Sequence, residues 1–181
     1  MSHHASGAMT DIVCPIHERN VDAMTVDAFE FLQREHVRLA QAFAEWFASH
    51  SEVQRSSLLA GIISRLRIHM ALETEVFQPR YLNATADALS DYVAFVNRET
   101  VRKLIEEIEA ADPAEAAHST RVQDLYEAVS HHVREAEKPD GLFVQARRAG
   151  VDAEELGPVL LARRDDLLTK VTTSPGRRQR R

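Results

Sequence analysis

The chain has 181 residues, a net charge of −6 and one cysteine. That length can bury a real hydrophobic core in a single domain. The acidic balance argues against nucleic acid as a partner. The lone Cys14 excludes an intramolecular disulfide and fits a reducing, cytoplasmic compartment. No apolar run is long enough for a membrane span, and the N-terminus lacks an apolar signal core.

Taken in chain order, residues 1–24 read as a flexible polar segment and 25–170 as one helical domain. Residues 171–181, with Arg177, Arg178, Arg180 and Arg181, read as a disordered basic tail. The first helix is expected over about 26 to 49, with Thr25 as its N-cap. The second runs from about 53 to 78 and stops at Pro79. The third covers about 87 to 110, capped near Thr85 or Asp87. The turn Ala111-Asp112-Pro113 leads into a fourth from about 114 to 137. Lys138-Pro139-Asp140-Gly141 ends it. A short helical piece from Leu142 to Ala149 breaks at Gly150, and a last helix spans about 152 to 170. Short connections make neighbours antiparallel, so the fold class is all-α: an up-down-up-down four-helix bundle with an added C-terminal helix.

The apolar stripes of these helices carry polar intruders. The first runs Phe29, Leu32, His36, Leu39, Phe43, Trp46; the second Leu59, Ile62, Leu66, His69, Glu73, Val76; the fourth Val122, Leu125, Val129, His132, Ala136. Steps of three and four residues mark one helix face, so His36, His69, Glu73 and His132 point inward. A carboxylate in a bundle core is costly unless it is paired or holds a cation. At about 1.5 Å per residue, the histidines fall in one layer within roughly two turns. Convergence on a metal is the simplest account; a hydrogen-bonded network without metal is the bland one. The chain also repeats: His36 and His69 lie 33 residues apart, and 34 back from His132 stands Arg98.

Other polar residues read more plainly. His131 sits one step round the helix from His132, beside the ligands or at the surface. His118 falls on the fourth stripe but too far along to share the layer. His17 and His50 are expected in solvent, and Cys14 is an ordinary thiol near a chain end.

The segments Phe-Leu-Gln-Arg-Glu-His36, His69-Met-Ala-Leu-Glu73-Thr-Glu-Val-Phe-Gln-Pro79 and His131-His132-Val-Arg-Glu-Ala-Glu137 resemble the hemerythrin-like (HHE cation-binding) family over about 25 to 170. The trailing stretch from Glu155 to Leu168 is similar to that family's closing helix. The resemblance implies non-haem iron, dinuclear in the family, inside the bundle. It also implies binding or reaction with dioxygen, peroxide or nitric oxide. His36, His69, Glu73 and His132 match ligand positions. Glu137 matches the His-x-x-x-x-carboxylate form, with Glu135 a register-shifted alternative four after His131. Three positions depart: Arg98 replaces a histidine, Arg102 stands where some members carry another, and Ala136 replaces a common second glutamate.

A guanidinium neither deprotonates nor ligates. Arg98 is therefore expected to leave the site mononuclear, asymmetrically dinuclear or empty, or to fork onto Glu73 or Glu137 in place of an ion. Nitrogen and carboxylate donors fit iron, and also zinc or manganese. Two functions follow. One is an iron protein acting on a small diatomic ligand or peroxide, either by turnover, as peroxide decomposition or a related oxidation, or by reversible binding or sensing. The other is a metal-free scaffold acting through partner binding, its core held by Arg98, Glu73 and Glu137. No nucleophile–base pair or glycine-rich phosphate loop is present.

Overall fold

The computed structural model describes residues 26–85 and 88–173, with side chains left out at 88–96, 116, 172 and 173. Its regular elements are helices: α1 (Ala28–Ala48), α2 (Glu52–Leu72), α3 (Gln78–Thr85), α4 (Ala88–Ala110), α5 (Ala116–Glu137), α6 (Leu142–Arg148) and α7 (Ala153–Thr173). A π turn, Glu73–Phe77, joins α2 to α3 without a break. α1 packs on α2 and α4 on α5, while α7 lies against α1 and α2. This is the expected all-α bundle with a C-terminal helix. The segments 1–24 and 174–181, with Cys14, His17, Thr25, Asp87 and the arginines of the tail, lie outside the described residues. Residues 171–173 belong to α7 rather than to the tail. Among the described residues no helix is long and apolar enough to cross a membrane.

Two boundaries differ from expectation, each for a local reason. α1 is capped by Asp27, not Thr25. Asp27 Oδ1 accepts from the amides of Phe29 at 2.8 Å and Glu30 at 3.0 Å, satisfying two orphan donors of the first turn. Its other oxygen accepts from Arg147 Nη2 at 2.9 Å. Pro79 does not end the second helix. The Gln78 amide bonds back five residues to Glu73 O, and this widened turn accommodates the proline ring that would collide with a regular helix. The extra residue also moves the buried stripe. Val76, expected inside, is only half-buried, while Phe77 and Tyr81 take the core positions.

The core divides into two apolar halves. One gathers Phe29, Leu32, Leu72, Phe77, Phe143 and Leu160. The other gathers Leu39, Phe43, Ile62, Leu66, Ile105 and Leu125. Along α1 the boundary between them falls at His36, along α2 at His69, and along α5 between Val129 and Ala136, where His132 stands. The polar residues thus form one layer across the bundle. At the α6 side, Gly150 closes the helix with a φ of 86°, a left-handed conformation suited to glycine. Gly157 on α7 lets the chain entering α1 approach so closely that a Cβ there would lie 1.4 Å from Val26 O.

Candidate metal centre

The four face-stripe residues reach the layer from three helical runs. His36 comes from α1, His69 from the last turn of α2, Glu73 from the start of the π turn and His132 from α5. His36, His69 and Glu73 are all at least 95 % buried. His36 Nε2 lies 3.2 Å from His69 Nε2. Glu73 Oε1 lies 3.0 Å from His132 Nε2 and 3.4 Å from His69 Nε2. One ligand atom from each residue falls within 4.8 Å of every other. The four therefore form a group able to hold a cation.

The protonation of His36 favours that reading. His36 Nδ1 faces Glu137 Oε1 at 2.6 Å and donates to it, which leaves Nε2 with its lone pair toward the cluster. Burial, then the neighbouring His69, push the His36 ring down to about 3, so it is neutral at pH 7. His132 moves the other way: the Glu73 carboxylate raises it, against the cost of its burial. Burial pulls Glu73 upward, but His132 and His69 outweigh that and hold it well below the usual carboxylate range. Glu137 is raised, chiefly by partial burial. Two imidazole nitrogens at 3.2 Å repel unless a proton or a cation lies between them. His69 Nδ1 is buried with no hydrogen-bond partner, so no outside contact fixes which of its nitrogens carries the proton. Three ring nitrogens and a carboxylate oxygen facing one point are a donor set for iron, zinc or manganese.

The surroundings are largely apolar. The Phe143 ring of α6 stacks on His36 with centroids 5.8 Å apart and planes 10° from parallel. On another side a small chamber of about 20 Å³ opens, lined by Leu39, Leu66, Met70, Val101, Val129 and Val133, with Arg98 and Asn97 also in its wall. Sequence reasoning did not find Phe143; the apolar spacing Leu142, Phe143, Ala146 was the available signal.

The other expected site positions separate clearly. Glu137 engages the far nitrogen of His36 and stands outside the group of four. Arg98 does not fork onto Glu73 or Glu137: among the described residues it makes no ion pair, because those carboxylates are taken by histidines. Its charge is still near enough to oppose protonation of His132. Arg102 is exposed and paired with Glu99 at 2.7 Å and Glu106 at 2.5 Å. Glu135 is at the surface, bound to Lys138 at 2.7 Å, and His131 is exposed. Ala136 is buried among apolar side chains. His118 is buried at the opposite end, in a cleft with Trp46 and Leu59, and His50 is exposed.

No family model matches the sequence, and no curated protein matches it. Among solved structures, the chain is similar to a hemerythrin HHE cation-binding domain-containing protein from Mycobacterium kansasii. The two are 22% identical with a TM-score of 0.68, over 82% of this chain and 94% of that one. At that identity the likeness concerns the backbone, and the chain has the hemerythrin-like helical-bundle fold.

Proposed function

We propose that the chain is a cation-binding protein of hemerythrin-like build that holds one non-haem iron through His36, His69, Glu73 and His132. The observation that carries this reading is the convergence of these four donors in a single buried layer. The ion, when bound, supplies redox chemistry and an open position for dioxygen, peroxide or nitric oxide. The chain's own contribution is geometric. Glu137 orients His36, Phe143 shields it, and the apolar chamber admits a molecule near the size of one water, which needs roughly 10–15 Å³. That size favours a diatomic ligand or peroxide over a larger substrate. A single ion is favoured because Arg98 and Ala136 offer no donor for a second. Peroxide decomposition is the turnover that such a centre supports, and a reducing cytoplasm would keep the iron ferrous.

The test is anaerobic loading with Fe(II), followed by elemental analysis and ultraviolet–visible spectra in air. We expect about one iron per chain, lost together with its colour in His69→Ala and in Glu73→Ala. Metal content and spectrum that survive both substitutions would refute the assignment.

A further inference from the structure

A second cluster lies behind the metal layer, where the outer faces of α1, α2 and α7 meet. Its centre is Glu35, next to His36 in sequence but turned away from it. Glu35 is buried, with 5 % of its side chain exposed, and three guanidiniums from three helices converge on it. Arg38 Nη1 of α1 donates to Glu35 Oε1 at 2.5 Å. Arg65 Nη1 of α2 stands 3.6 Å from Oε2, and Arg164 Nη1 of α7 stands 3.9 Å from Oε1. The last two distances are too long for hydrogen bonds. One carboxylate thus faces three permanent cations, and of the three only Arg38 hydrogen-bonds it. Arg164 spends its Nε and Nη2 on Asp165, yet its Nη1 stays turned toward Glu35. Among the described residues Arg65 forms no other ion pair. These groups wall a cleft of about 360 Å³, with Ile68 and Leu168 as its apolar sides.

We infer that this cleft is a binding site for a phosphate group, carried on a small organic phosphomonoester. Three guanidiniums against the carboxylates of Glu35 and Asp165 leave one excess positive charge for a phosphate to meet, and the planar fork of Arg65, with Nη1 of Arg164 beside it, matches phosphate oxygens. Glu35 lines the floor of the cleft, where it holds Arg38 by a hydrogen bond and faces Arg65 and Arg164 at longer range. Ile68 and Leu168 offer contact to the organic part of an ester that a free phosphate lacks. The inference is independent of the metal, because none of its side chains belongs to the group of four.

The test is isothermal titration of the full chain at low ionic strength with phenyl phosphate, inorganic phosphate and chloride. Phenyl phosphate is expected to bind saturably at one site and more tightly than inorganic phosphate. Arg65→Gln with Arg164→Gln is expected to weaken it by at least about tenfold. Glu35→Gln is expected to tighten it by removing the competing charge, which a purely structural carboxylate would not do. Because Glu35→Gln risks the fold, the double arginine variant decides on its own. No saturable binding, binding indifferent to the arginine pair, or equal uptake of chloride would overturn the site. Equal affinity for both phosphates would overturn the ester and leave free phosphate as the occupant.

Discussion

Glu137 Oε1 lies 2.6 Å from His36 Nδ1, on the side of the ring opposite the polar layer. The contact ties the end of α5 to the middle of α1 and selects the tautomer that turns Nε2 inward. A carboxylate on the outer nitrogen of a metal-binding histidine also raises its basicity. Glu137→Ala is expected to weaken metal binding by about 10- to 100-fold without unfolding the chain. Glu137→Gln keeps an acceptor but loses the charge, so its loss should be smaller. Competition with a coloured chelator measures both.

Arg98 faces the same layer from α4 without an ion-pair partner among the described residues, and it adds positive charge near His132. Arg98→His replaces that charge with a ligand. Metal content is then expected to rise above about one ion per chain toward two. Elemental analysis of the variant loaded beside wild type reads this directly; an unchanged ratio would show that Arg98 is not what limits the site.

Phe143 stacks on His36 and packs against Phe29 and Phe77. Phe143→Ala opens a cavity in a fully formed core and is expected to cost about 3–5 kcal/mol. It also admits water to the layer. Denaturant unfolding gives the first effect. Faster metal release to a chelator gives the second.

Asp27 links helix capping to pH. Burial works against its charge, but the Glu30 amide, the Arg147 guanidinium and the Phe29 amide prevail and hold the carboxyl below its ordinary value. The folded value is therefore lower than the unfolded one. The stabilisation is complete above about pH 4 and is lost as pH falls through the folded value. Asp27→Ala should cost about 1 kcal/mol at pH 7. The gap from wild type should narrow as acid is added below about pH 4. Urea melts at the two ends of that range provide the check.

The helices and the polar layer were legible because both rest on local periodicity. His36, His69, Glu73 and His132 interrupt stripes that are otherwise apolar, and a step of three or four residues fixes the face. The π turn was not legible, because Pro79 reads as a stop and nothing in Glu73–Phe77 announces a bond reaching back five residues. That shift moved the core from Val76 to Phe77. The role of Glu137 was half legible: its spacing from His132 matched a carboxylate position that the family resemblance implied, but only the tertiary fold shows which nitrogen of His36 it meets. Glu35 was invisible. Its burial comes from α7 crossing the outer face of α1, and the arginines that meet it lie 3, 30 and 129 residues away.

The close approach at Gly157 sets a further limit on the fold. Any side chain there would enter the Val26 carbonyl. Gly157→Ala is expected to force α7 away from α1 and to cost at least about 1–3 kcal/mol, read as a lowered melting temperature.

The π turn places Glu73 where the backbone ladder changes from bonds spanning four residues to bonds spanning five. A cation gripped there would draw this junction to α1 and α5 at once, since His36 and His132 hold the same ion. Occupancy of the centre would then be written into the backbone itself. The amides just past Glu73 should exchange with solvent slowly in the loaded protein and quickly in the stripped one, so that the main chain reports on the metal even when the metal has no colour.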